Sequence, residues 1–145
     1  MKSGLKLLLV EDNPADLNLA REALAGSTRR SEIATVEDGV EAIAFLNRRG
    51  KYENALRPDL VILDLSLPKR DGHSVLAAIK AGPELRRIPV VIFSSSQLSK
   101  DIVRSYELGA NCYVSKPGNL KDYLSAVKCI VDFWCDFAKL PPQGE

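Results

Sequence analysis

The chain has no apolar run long enough to cross a membrane. LKLLLV from Leu5 and VVIF from Val90 fall far short of the ~20 residues that a helical span needs. The start, MKSG, lacks the apolar core and small-residue cleavage site of a secretion signal, so a soluble, cytoplasmic protein is expected. Cysteine is scarce. Cys112, Cys129 and Cys135 are odd in number and show neither a CxxC pair nor Cys/His metal spacing, which argues against a disulfide framework and for reduced thiols. Charge of one sign is missing too. Twenty basic against nineteen acidic residues leave +1, with no excess to hold nucleic acid or an anionic membrane. At 145 residues there is material for a single core, so residues 1–145 are expected to form one domain with a tail over 138–145, where Pro141 forbids further helix.

Short β-prone runs alternate with segments of helical period. Leu5–Val10, Ile33–Val36, Leu60–Leu63, Val90–Phe93 and Cys112–Val114 read as strands. Pro14–Leu24, Val40–Asn47, Ser74–Lys80, Ser99–Leu108 and Leu120–Phe137 read as helices. Parallel neighbours need a crossover, and right-handed crossovers put helices on both faces of the sheet. The expected fold is therefore α/β, a doubly wound five-stranded parallel sheet with five helices. The runs at Leu7–Val10, Leu60–Leu63 and Val90–Phe93 are apolar without alternation and should be its core strands. RRGKYENALRP, Arg48–Pro58, reads as an exposed link.

In such a sheet ligands bind beyond the carboxyl ends of the strands. The first strand ends in Glu11-Asp12, the third in Asp64, the fourth in Ser94-Ser95-Ser96 and the fifth in Ser115-Lys116. Crowded carboxylates repel unless a cation neutralises them, and an oxygen-only set suits a hard ion such as Mg²⁺, which takes phosphate oxygens as well. Asp64 is then a candidate nucleophile for an aspartyl phosphate, with Lys116 and the Ser94 hydroxyl on the phosphoryl oxygens. Taken singly, each residue has a plainer reading. Asp64 could be a turn residue, Glu11-Asp12 a helix cap before Asn13-Pro14, Lys116 a solvated lysine and Ser94–Ser96 a polar turn.

Along nearly its whole length the chain resembles the receiver domain of two-component response regulators. The resemblance rests on LLLVEDNPAD, VEDGVEAIAFL, LVILDLSLPKRDG, IPVVIFSSS and ANCYVSKP. It implies strand order 2-1-3-4-5, Asp64 as phosphoacceptor, and Mg²⁺ held by Asp12, Asp64 and the Ser66 carbonyl with Glu11 acting through water. It places Ser94 at the hydroxyl switch position, Tyr113 at the switch aromatic and Lys116 at the phosphate-binding lysine. It also implies a cis Lys116-Pro117 bond. The long link and the ending IVDFWCDFAKLPP narrow the resemblance to single-domain regulators partnered by phytochrome histidine kinases. Two rivals share these residues: a receiver-fold interaction module independent of phosphorylation, and a haloacid-dehalogenase-type phosphatase. The phosphatase lacks its second Asp, because Ser66 stands there. His73, after a turn glycine, reads as a surface residue.

The last helix carries more apolar surface than one core requires. Leu120, Leu124, Val127, Val131 and Trp134 make a stripe expected to face the sheet, and Tyr123, Ala126, Ile130, Phe133 and Phe137 make a second beside it. A homodimer through Tyr123, Ile130, Phe133 and Phe137 is the expectation, with no nucleic acid and no membrane partner.

Overall fold

A computed structural model describes residues 4–25 and 31–142. Ten regular elements alternate: β1 (Leu5–Val10), α1 (Pro14–Ala25), β2 (Ser31–Val36), α2 (Gly39–Leu46), β3 (Leu60–Leu63), α3 (Gly72–Ala81), β4 (Val90–Ser94), α4 (Ser99–Glu107), β5 (Cys112–Ser115) and α5 (Leu120–Asp132). The five strands form one parallel sheet in the order β2-β1-β3-β4-β5, the doubly wound arrangement expected. The order reverses between β1 and β3, so the crevice for ligands opens beyond Val10 and Leu63.

Burial follows from two-sided cover. Every residue of β3 and β4 is buried, whereas β5, at the sheet edge, is half-buried throughout. One face packs Leu7, Leu9, Leu60, Ile62 and Phe93 against Leu17, Ala20 and Leu24 of α1 and Tyr123, Val127 and Val131 of α5. The other packs Val10, Val61, Leu63 and Ile92 against Ala42 and Leu46 of α2 and Val75, Leu76 and Ile79 of α3. Side-chain caps fix the starts of α2, α3 and α5, where Asp38, Asp71 and Asn119 accept from the backbone N–H groups of Glu41, Ser74 and Asp122.

The link Arg48–Pro58 is largely exposed, as expected, and carries a short 3₁₀ turn at Gly50–Tyr52, whereas two expectations for the last helix need correction. Tyr52 packs its ring, tilted, against Phe45 with centroids 5.1 Å apart and donates its hydroxyl to Glu41 at 2.8 Å. The last helix does not run unbroken to Phe137. Ala138 donates its N–H to the Phe133 carbonyl at 2.9 Å, an i+5 bond that widens residues Phe133–Phe137 into a π turn. Finally, its sheet-facing stripe is Tyr123, Val127, Ile130 and Val131, all buried, while Leu120 is 56 % exposed. Two adjacent apolar stripes leave the rotation of the helix undecided, and docking against α1 decides it, with the Tyr123 ring tilted against Phe93 of β4, centroids 5.2 Å apart.

Candidate functional site

Each strand that ends at the crevice delivers a polar side chain. Glu11 follows β1, its N–H bonded to the Val36 carbonyl of β2, and Asp64 follows β3, its N–H bonded to the Val10 carbonyl of β1. Both carboxylates are buried, at 3 % and 6 % exposure, while Asp12 beside them is exposed. One oxygen from each of Glu11, Asp12 and Asp64 can be chosen so that all lie within 4.8 Å of one another. An oxygen-only set this compact, open on the Asp12 side, fits a hard divalent cation that keeps waters.

Lys116 enters from β5, whose pairing continues with the Lys116 N–H on the Ser94 carbonyl at 2.8 Å. Its Nζ donates to Glu11 Oε1 at 2.5 Å, Asp16 Oδ2 at 2.7 Å and Asp64 Oδ2 at 3.0 Å. Asp16 is the residue that sequence reasoning missed. It sits in the first turn of α1, where Asn13 caps the N–H groups of Ala15 and Asp16 and so turns the helix start toward the crevice. The only sequence signal was an acid four residues after Asp12, the spacing that repeats one helical turn.

Electrostatics pull in two directions. Burial, with the nearby Asp64 charge, pushes the Glu11 carboxyl up to about 7, although the Lys116 hydrogen bond opposes the rise. Burial alone would lower the Lys116 ammonium, but its bonds to Asp16 and Glu11 and the charges around it raise it well above its ordinary value. One cation thus holds several acids at a site that retains more negative than positive charge.

The loop after Asp64 is set by close backbone approach. A Cβ at Gly72 would lie 2.3 Å from the Asp64 carbonyl oxygen, so only glycine lets the chain return past the acid. Ser66 donates its N–H to Asp64 Oδ1 at 3.2 Å. Opposite, Ser94 is 1 % exposed and its hydroxyl accepts the Ser96 N–H at 3.4 Å. Tyr113 is half-buried, its hydroxyl donating to the Ser96 carbonyl at 2.7 Å, while Ser96 Oγ donates to Asp101 of α4 at 2.6 Å.

Glu11, Asp12, Asp64 and Lys116 therefore come together, with Ser66 beside Asp64, and Ser94 and Tyr113 meet at Ser96. The Lys116–Pro117 bond is not cis, since no cis peptide bond occurs among the described residues. The lysine is aimed by strand pairing and by its three carboxylates instead. His73 is half-buried rather than a plain surface residue, with Nε2 3.0 Å from Ser105 Oγ and 3.3 Å from the Asp101 carbonyl, joining α3 to α4. Tyr123 and Ile130 are 5 % and 7 % exposed in this chain's own core, so neither can serve a dimer face. Phe133 and Phe137 are 51 % and 76 % exposed because the π turn rotates them off the sheet.

A model of the response regulator receiver domain matches residues 7–128. The chain belongs to the response regulator receiver family. It is 49 % identical over 135 residues to the response regulator Rcp1 of Synechocystis, covering 93 % of this chain and 92 % of that protein. Among solved structures, the phosphorylated cyanobacterial phytochrome response regulator RcpA superposes with a TM-score of 0.94 at 52 % identity, covering 97 % of this chain and all of that one. The Mn²⁺-bound form of Rcp1 follows at 0.91 and 48 %, over 95 % and 99 % of the two chains. As a receiver closely related to phytochrome response regulators, the chain has the site chemistry of a phosphoacceptor. No helix of the described residues is long and apolar enough to cross a membrane.

Proposed function

We propose that Asp64 accepts a phosphoryl group from the phosphohistidine of a histidine kinase of the phytochrome type. The observation that carries this reading is the convergence of the Lys116 ammonium on Glu11, Asp16 and Asp64 beside a compact oxygen-ligand set. Asp12 and Asp64, with the Ser66 carbonyl, would hold Mg²⁺, and Glu11 would act through water. The ion supplies positive charge for the phosphoryl oxygens.

The chain's own residues do the rest. An Asp64 oxygen forms the new P–O bond as the P–N bond of the phosphohistidine breaks and the electron pair returns to the imidazole. Lys116, held in place before the phosphoryl arrives, neutralises charge as it builds, at little cost in reorganisation. The same arrangement supports self-phosphorylation from small donors and hydrolysis of the product. Ser94 donates to a phosphoryl oxygen, which draws on the main chain around Ser96 and so on the Tyr113 hydroxyl bonded there. The charge change is thereby passed to α4 and β5, where a partner or a second copy reads it. Phe133 and Phe137, stacked 6.5 Å apart and exposed, favour a homodimer through the end of α5. We place this signalling in the cytoplasm.

The test is incubation with a small phosphodonor, with and without Mg²⁺, read by intact mass. Wild type should gain one phosphoryl only with Mg²⁺, and Asp64→Asn should gain none. A gain that persists in Asp64→Asn refutes the assignment.

A further inference from the structure

A cavity of about 400 Å³ lies at the opposite edge of the sheet from Asp64. Its floor is the chain entering β3 and β4, at Asp59 and at Ile88-Pro89, and its rim carries Arg48, Arg57 and Arg87. Leu140, Pro141 and Pro142 of the tail close one side, with Leu140 resting on the core face that packs α1 and α5. That volume falls within the roughly 300–1,000 Å³ of small-molecule sites.

Arg57 gives the cavity its chemistry. The guanidinium side chain is 22 % exposed, and Nη1 pairs with Glu84 at 2.5 Å. Its Nε is buried and has no hydrogen-bond partner among the described residues. A buried N–H on a charged group is among the most costly donors to leave unmet, and Nε together with Nη2 forms the side-on fork that grips two oxygens of a carboxylate or phosphate. The charged lining is three cations against Asp59 and Glu84, and the Asp59 carboxylate already accepts the Lys6 N–H at 2.9 Å. The remaining walls, from Ile88 and Pro89 to the two tail prolines, are apolar.

We propose that this cavity binds a small oxyanion carried on an apolar body, its head on the Nε edge of Arg57 and its carbon frame between Pro89 and the Leu140–Pro142 tail. Because the tail continues from α5 and its π turn, the ligand would stiffen the end of the helix that presents Phe133 and Phe137. The site is separate from the phosphoacceptor site and stands whether or not Asp64 is phosphorylated.

The experiment is amide NMR titration of the full chain with benzoate, inorganic phosphate and neutral benzamide. Benzoate should saturate shifts clustered at Arg57, Asp59, Arg87 and Leu140, and benzamide should leave them unmoved. Phosphate that saturates the same amides shows that the oxyanion head suffices, and phosphate that fails shows that the apolar body is required; both keep the oxyanion site. Arg57→Lys keeps a cation opposite Glu84 and removes Nε, so it should retain wild-type dispersion and lose about tenfold or more in benzoate affinity. Absence of saturable shifts up to the solubility limit of benzoate overturns the proposal. So do shifts scattered over surface basic residues, or an affinity unchanged in a folded Arg57→Lys.

Discussion

Replacing Lys116 by methionine tests whether one ammonium holds the acidic crevice together. The side chain of Lys116 is 7 % exposed, and those of Glu11, Asp64 and Asp16 are 4 %, 8 % and 22 % exposed. Methionine fills similar volume, so the perturbation is chiefly electrostatic. Removing one partner of a buried ion pair costs about 3–5 kcal/mol, because the charge left behind stays desolvated. For a domain of this size each kcal/mol moves Tm by roughly 2–4 °C, so chelated Lys116→Met should melt about 6–20 °C below wild type at neutral pH. Two further readings separate this cause from a packing defect. Acidification should narrow the gap, since Glu11, already pushed up to about 7, takes a proton and drops its charge. Saturating Mg²⁺ should raise the variant more than wild type; a ligand at one hundred times its Kd contributes about 2.7 kcal/mol. The assay is circular-dichroism melting in chelator and in Mg²⁺ across pH 5 to 8. A loss below about 1 kcal/mol, or a loss indifferent to both pH and Mg²⁺, refutes the reasoning.

Gly72→Ala should destabilise the chain by about 1–3 kcal/mol and slow phosphorylation, because its Cβ would meet the Asp64 carbonyl at 2.3 Å; denaturant unfolding and phosphodonor kinetics check both. Divalent affinity should rise up to about tenfold per pH unit below about 7 and level off above it, because a proton on Glu11 competes with the cation. In metal-free protein the same raised carboxyl makes stability fall as pH climbs from 4.5 through about 7, which pH-dependent urea unfolding can follow. Phe133→Asp should give monomers in sedimentation with phosphorylation intact, and an unchanged profile removes the dimer proposal.

What the sequence disclosed was what period and position encode. Continuous apolar runs located β1, β3 and β4, and the polar residue after each located the crevice, because a doubly wound sheet aligns its carboxyl ends. Contacts that depend on the path of a loop or the rotation of a helix were hidden. Asp16 reaches Lys116 only because Asn13 angles the start of α1. The hydroxyl of Tyr113 finds the Ser96 carbonyl through the turn after β4, which no periodicity encodes. Tyr123 and Ile130 lie one helical step from the stripe expected to face the sheet, and an angular uncertainty that small moved them from surface to core. The arginine cavity joins three segments far apart in sequence, each of them unremarkable by itself.

The three bonds of Lys116 span 105, 100 and 52 residues along the chain. Contacts of such separation close the longest loops and form late in folding, after local helices and neighbouring strands have committed. A nascent polypeptide lacking β5 already contains Asp64 and its oxygen ligands, yet has no ammonium to complete them. Because that ammonium comes from the end of β5, completion of the acidic crevice is tied to docking of the far edge of the sheet.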